Sequence, residues 1–382
     1  MKSYLEDLNI HPEVLNLKKE LIFLRREIHK YPELLYDLPK TSQLVKTYLR
    51  TLGLEVHSKV GVSGVVGVLR GEGPCVLLRA DMDALPIEET ANLEYKSAYP
   101  GKMHACGHDA HVAMLLVAAK VLVGLKDRIK GSVKFLFQPA EEGGHGANAM
   151  IQDKTYPVLS ASPIVEEVYA VHVTNSIPIG DFLAAEEFAS ANSAYFHIDL
   201  KQKLEEANCV YVGAQVISSI QNISSLVPPE YTMVLSTTVF QGNPEFCKVG
   251  GTIRNYEEQV KETLYKNLKN ICKGVEATFG VEANVWFEEF YSPTVNDPVC
   301  TAKASNAFTK VVSKAKRHRD SPLIGEDFCY FTKEKPGCFL MLGCATEEKN
   351  HPIHSKKFEL EEEALLIGCS YWVQLVEDLL IR

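Results

Sequence analysis

Residues 103–125 read MHACGHDAHVAMLLVAAKVLVGL, so three imidazoles, a thiol and a carboxylate fall within nine residues and an apolar run follows at once. The helix predicted over 110–126 lies between short apolar or β-branched runs: GVVGVLRG (64–71) and CVLLRADMDA (75–84) before it, VKFLFQPAEE (133–142) and EVYAVHV (167–173) after it. Strands and helices therefore alternate, which is the grammar of an α/β layer with a mostly parallel central sheet. Apolar residues at helical spacing mark two further helices upstream, over 14–30 and 42–54. The polar cluster becomes a loop opening a helix, near the strand ends where open α/β sheets bind their ligands.

Beyond Gly180 the pattern changes. Ala194, Phe196, Ile198 and Leu200 alternate with Tyr195, His197 and Asp199, the mark of a half-buried strand. A helix over about 205–225, strands at 231–240 and 247–255, a helix with Val260, Leu264, Leu268, Ile271 and Val275 on one face, and a strand at 281–290 follow. The order β-α-β-β-α-β predicts a ferredoxin-like α+β unit inserted into the first domain. Helix, strand and helix signals then resume at 299–315, 338–344 and 359–381. The expected domains are a discontinuous one, 1–186 with 294–382, and the insert, 187–293.

A chain of 382 residues, 46% hydrophobic and 23% charged, is long enough for two cores. Its net charge of −9 argues against a general affinity for nucleic acid or anionic membrane, which rests on clustered Lys and Arg. The one basic run, KAKRHR (314–319), reads as a solvated face. The opening MKSYLEDLNIHPEV lacks the apolar core of a signal peptide, and the best apolar segment, 112–125, is too short to span a bilayer. A cytoplasmic protein is expected. Ten cysteines without paired spacing fit reduced thiols, and Cys106 alone has polar company.

Several polar groups fall just past the predicted strands: Asp81 and Asp83, Glu141 and Glu142, His172, and His354 after CFLMLGC. Cys106 and His108 lie in the loop opening the next helix. Cys106, His108, Glu142, His172 and His354 make five candidate metal ligands, one more than a closed tetrahedral site uses. Five ligands suit two divalent ions sharing a bridge. Thiolate and imidazole favour zinc, and the carboxylates also suit manganese or cobalt. Adjacent glutamates in a turn point apart, so Glu142 is read as ligand and Glu141 as general base. Asp83 is expected to accept the second ring N–H of a ligand histidine. His111, one helical turn beyond His108, is placed to support it or to cap the helix.

These residues stand in stretches that resemble, in order, the metal-dependent amidohydrolases of the aminoacylase and carboxypeptidase superfamily: RREIHKYPEL, RADMDALPIEE, MHACGHDAHVAMLLVAA, FLFQPAEEGGHGA, AVHV…PIG, GTIR, GEDFCYF and HPIHSKKF…EEEAL. The branch that includes hippurate hydrolase, auxin-conjugate hydrolase and N-acetyldiaminopimelate deacetylase resembles it most. The resemblance implies a two-metal hydrolase of N-acyl amino acids, with a catalytic αβα domain and an inserted lid or dimerisation domain through which a homodimer is one expectation, a monomer staying open because the loop that reaches the partner subunit is missing here. It implies metal at Cys106, His108, Glu142, His172 and His354, Glu141 as base, and Arg254 of GTIR as partner of a substrate carboxylate. It also sets Gly325-Glu326-Asp327-Phe328 beside the metals.

Two family features are missing. The lid segment of the form GGHAAxPH, whose histidine steadies an oxyanion in a neighbouring subunit, is absent, and His197 does not match it. The loop carrying an Asn-Val-Ile-Pro element is shortened, leaving Asn243 as a poor substitute. A single oxyanion donor is worth about two to three orders of magnitude in rate. A catalytically silent metal- or ligand-binding protein therefore stays open beside the amidohydrolase, as does a dipeptidase or carboxypeptidase.

Overall fold

Three helices, α1 (Pro12–Asn16), α2 (Lys18–Lys30) and α3 (Pro39–Thr51), open the computed structural model, which describes residues 8–381. The helical spacing over 14–30 is split at Leu17, whose φ of −93° and ψ of 8° leave the helical region. Next come β1 (Glu55–Val60), β2 (Gly64–Leu69), β3 (Cys75–Asp81), α4 (His108–Gly124), β4 (Ser132–Gln138), α5 (Gly146–Ile151), β5 (Glu167–Pro178) and β6 (Phe182–Leu183). An inserted run follows: β7 (Asn192–Gln202), α6 (Cys209–Gln221), β8 (Met233–Asn243), β9 (Phe246–Asn255), α7 (Glu258–Phe279) and β10 (Val281–Tyr291). The chain resumes with α8 (Pro298–Val311), β11 (Arg317–His318), α9 (Cys329–Glu334), β12 (Gly337–Ala345) and α10 (Glu363–Leu380).

Contacts divide these elements into two units. One holds the described residues up to Ala189, Val295–Asp320 and Tyr330 onward; the other holds Ser190–Thr294 and Ser321–Cys329. In the first, an eight-stranded sheet has the order β1-β2-β4-β3-β5-β12-β6-β11. Its centre, β4-β3-β5-β12, is parallel; β1-β2, β2-β4 and β12-β6 are antiparallel, and the edge pair β6-β11 is parallel again. Every residue of β3 and β4 is buried, as strands covered on both faces must be. Helix α4 is buried at all positions but Lys120, Val123 and Gly124 and packs against β3, α2 and α10. A helix apolar on all sides belongs inside, and its amino end is thereby fixed at the rim of the sheet.

The second unit is a four-stranded antiparallel sheet, β10-β7-β9-β8. That order, with α6 and α7 between strands, is the ferredoxin-like arrangement expected from the sequence. Phe196, Ile198 and Leu200 of β7 meet Val212 and Val216 of α6 and Leu264 and Leu268 of α7 in its core. Residues Ser321–Cys329 join this unit: Ala191 N donates to Ile324 O, and the Tyr256 hydroxyl to Ser321 O. They fall outside the 187–293 stretch read as the insert.

Lys314, Lys316 and Arg319 of the basic run are exposed, while Arg317 and His318 form β11 and bond Ala184 O and Asp181. The ten cysteines are buried and none is in a disulfide. No helix among the described residues is long and apolar enough to cross a membrane.

Leu116, fully buried in α4, is a sensitive test of this packing. Leu116→Ala is expected to cost about 2–5 kcal/mol through lost contact and the cavity left behind. Val299→Ala, at a position 63% exposed on α8, stays within about 0.5 kcal/mol. Urea midpoints compared at equal m-value measure both.

Candidate metal centre

Gly107 immediately precedes α4 with φ of +85°, and a Cβ there would lie 2.3 Å from Val173 Cγ2. Only glycine allows that approach, which seats the cysteine-histidine loop against β5 beside His172. The chain that follows β12 brings His354 to the same place, and His354 N donates to Ala105 O at 2.7 Å. Ala140, just before the paired glutamates, and His354 have φ of +55° and +64°. Left-handed backbone at non-glycine residues persists only where surrounding structure imposes it, typically at functional sites.

The side chains converge accordingly. Cys106 Sγ lies 3.3 Å from His172 Nε2 and 3.3 Å from His354 Nε2. Glu142 Oε1 is 3.6 Å from His354 Nε2 and 4.0 Å from His108 Nε2. Ligating atoms of Cys106, His108 and His172 fall within 4.8 Å of one another, and so do those of Cys106, Glu142 and His354. Cys106 belongs to both triads. His108 Nδ1–H donates to Asp83 O at 2.7 Å and His172 Nδ1–H to Val173 O at 2.6 Å, which turns both Nε2 atoms towards the cluster.

Asp83 meets His108 through its backbone carbonyl, its nearer carboxylate oxygen lying 3.8 Å from the same ring nitrogen. The carboxylate instead accepts from the N–H of Glu141 at 2.9 Å and of Glu142 at 3.1 Å. It folds the glutamate turn while its own main chain orients His108. Asp81 takes the role foreseen for Asp83 towards another histidine: His111 Nδ1–H donates to Asp81 Oδ1 at 2.5 Å. With its Nε2 accepting from Val173 N at 2.9 Å, His111 pins the residue after His172. Arg79 Nη1, 2.6 Å from Asp81 Oδ2, offsets the cost of burying that acid. Arg79 and Asp81, two apart in an otherwise apolar strand, were the signal available in the sequence.

Behind the loop sits a second buried group. Arg25 Nε donates to Asp109 Oδ2 at 2.8 Å, His29 Nδ1 shares that oxygen at 2.8 Å, and His29 Nε2 reaches Glu89 at 3.1 Å. Burial acts against charge on His29, but Asp109 outweighs it and raises its pKa. His104, also buried, is pushed down to about 3 by desolvation and stays neutral. The RREIH and GHDAH stretches are thus tied together by one internal ion cluster.

The remaining predicted residues lie in the second unit. Arg254 is on β9; its neighbour Ile253 enters the core, so Arg254 occupies the other sheet face, where Nη1 donates to Ile253 O at 3.0 Å. His197 stacks on Trp286 at 5.1 Å between ring centroids. Asn243 closes the β8–β9 turn by accepting from the N–H of Glu245 and Phe246, both at 3.0 Å. Glu326 Oε1 accepts from Phe328 N at 2.9 Å, a bond that shapes its own loop.

The donor set fits divalent metal. His108 Nε2 and Glu142 Oε1 are buried yet without a hydrogen-bond partner, an arrangement that is costly unless a cation completes it. Desolvation opposes charge on His108, but Asp81 and the neighbouring acids raise its pKa to about 10. Burial first, then Asp83 and Asp81, lift Glu142 to about 7 against the pull of His108. Desolvation lowers the pKa of His172 and His354, leaving them as the neutral imidazoles that ligate. The acids here create a demand for positive charge that protons meet in part.

A mostly parallel sheet that gathers Cys, His and Glu at one place defines a protein of the metal-binding α/β class. Residues 77–378 match the peptidase family M20/M25/M40. Thermostable carboxypeptidase 1 of Saccharolobus solfataricus is 36% identical, covering 93% of this chain and 94% of that protein. IAA-amino acid hydrolase ILR1-like 4 of Arabidopsis thaliana is 33% identical over 95% of this chain and 86% of its own length. The solved Bacillus subtilis YXEP protein, described as a dinuclear metal binding peptidase of the M20 family, superposes with a TM-score of 0.81 at 28% identity, covering 95% and 98% of the two chains. The protein belongs to the M20/M25/M40 peptidase family, and so to its metal-dependent amidohydrolases and peptidases.

Because ligation requires unprotonated His108 and Glu142, adding zinc to metal-free protein at pH 7 should displace protons. About one comes from His108 and a fraction from Glu142, beside the proton that the Cys106 thiol gives up when it ligates as thiolate. Calorimetry in two buffers of different ionisation enthalpy counts them; tight binding without proton release would contradict the site electrostatics.

Proposed function

We propose that the protein hydrolyses the amide bond of an N-acyl amino acid or a related small amide at a dinuclear centre. The observation carrying this reading is the pair of triads that share Cys106, with Glu141 next to ligand Glu142 on a turn set by Asp83. Cys106, His108 and His172 would hold one ion, and Cys106, Glu142 and His354 the other. When bound, two such ions polarise a carbonyl and bring a water's pKa towards neutrality. Zinc suits the thiolate and imidazoles best, with manganese or cobalt as substitutes.

Glu141 takes the proton of the attacking water and returns it to the departing amine. Its backbone is fixed by Asp83 and only 6% of its surface is exposed, so it is held in place and screened from bulk water. Arg254 clasps the substrate carboxylate through two parallel N–H bonds. A peptide substrate is the second reading, favoured by the 36% identity to a carboxypeptidase. Ten buried cysteines outside any disulfide suit a reducing compartment, and the reading keeps a cytoplasmic location.

The same reading includes a homodimer through the second unit. Strand β8 ends the four-stranded sheet with eleven residues and carries exposed Val234, Val239 and Phe240. A second copy pairing antiparallel along it would cover that edge by two-fold symmetry.

Glu141→Gln should keep the metal content of the wild type while hydrolysis falls by about two to four orders of magnitude. Elemental analysis together with a panel of N-acyl amino acids and dipeptides measures both, and near-normal turnover would remove Glu141 from the role. Light scattering should give twice the chain mass, reverting to a monomer on Val239→Lys; a monomeric wild type sinks the dimer.

A further inference from the structure

His354 sits in residues 346–362, a stretch between β12 and α10 with no helix or strand. Its left-handed φ of +64° is uncommon for a residue with a side chain and is kept where the surrounding structure holds it. The side chain placed to do so is Asn175. Its Nδ2 donates to His351 O at 2.9 Å and to Glu359 O at 2.9 Å, three residues before and five after His354. One amide therefore grips both limbs of the loop.

Asn175 reaches the loop because β5 is bulged there. Thr174 pairs with Gly343, and the next pairing joins Pro178 to Ala345, so β5 advances by four residues while β12 advances by two. Such bulges re-aim side chains beside sites. The Cys344 S–H, from the opposing strand segment, donates to Asn175 Oδ1, and burial keeps that thiol protonated by raising its pKa. A thiol donor on one end and two carbonyls at the other permit a single amide orientation. Asn175 is nearly buried, which shields these bonds from water.

We propose that Asn175 is a positioning residue for the metal centre. It presents His354 Nε2 to Cys106 and Glu142 without touching metal or substrate. The proposal rests on the reading of His354 as a ligand.

The test compares wild type with Asn175→Leu, Asn175→Asp and His354→Ala. Each is loaded with cobalt, checked for folding by circular dichroism, and titrated with a chelator while the cobalt absorption is followed. The aspartate variant preserves volume and polarity, so the outcome does not depend on the leucine variant folding. Wild type should hold two ions per chain. Both Asn175 variants should lose one of them about 10–100-fold more readily, the range typical of groups that orient a ligand. Their ligand-field bands should shift towards those of His354→Ala, which a general loss of stability would not produce. Folded variants with the wild-type spectrum and chelator midpoint overturn the role of Asn175 alone. A wild type that takes up no metal overturns the centre itself, and this role with it.

Discussion

Charge that folding removes from water has to be balanced where it ends up, and the interior of the first unit is organised around that requirement. Asp81, Asp83 and Glu142 lie within reach of one imidazole, and Arg79 neutralises only part of what they carry. The deficit is local and dry, so it cannot be spread into solvent. Each supporting contact serves it: the Asp83 main chain aims His108, the Asp83 side chain aims the glutamate turn, and His111 steadies the strand beneath His172. The protein has spent folding energy to keep a cation-shaped demand in place.

The architecture divides this labour by rigidity. Parallel strands and a helix buried along most of its length hold His172 within β5 and Cys106, His108 and Glu142 beside the ends of α4 and β4, so little freedom remains in their mutual distances. His354 comes from irregular chain and needs separate tethers. The Arg25–Asp109–His29 cluster anchors the amino end of α4 from the opposite side, with Asp109 adjacent to His108. An ion pair that is fully enclosed adds little net stability but is costly to break, which makes it a locating device.

Much of this was legible in the sequence because the chemistry is type-specific. Cysteine, histidine and glutamate past apolar runs are unusual enough that Cys106, His108, Glu142, His172 and His354 could be read as one cluster, and the β-α-β-β-α-β order gave the second unit. What escaped has a common cause: sequence shows which groups a residue owns, not which of them faces inward. Asp83 offers both a carbonyl and a carboxylate, and it is the carbonyl that accepts from His108 while the carboxylate folds the glutamate turn. Asp81 and His111 looked like a strand-end acid and a helix neighbour because their partners, Arg79 and Val173 N, are fixed only by burial and register. Asn175 was invisible, since nothing in VTNSIPIG announces a bulge. The break at Leu17 was likewise hidden beneath continuous apolar spacing.

The way the insert is joined has a kinetic meaning. Strand β12, which completes the parallel centre beside β5, is synthesised only after about a hundred residues of the second unit. Yet the two crossing points are fastened on both sides, by the Phe188–Val295 bridge and by the Ser190 hydroxyl bonding Thr294. Closing an unstructured loop of that length costs on the order of 4 kcal/mol of chain entropy. A second unit that folds early supplies that closure in advance, so the late strand arrives tethered beside its partner and the nascent sheet spends less time with an open, aggregation-prone edge.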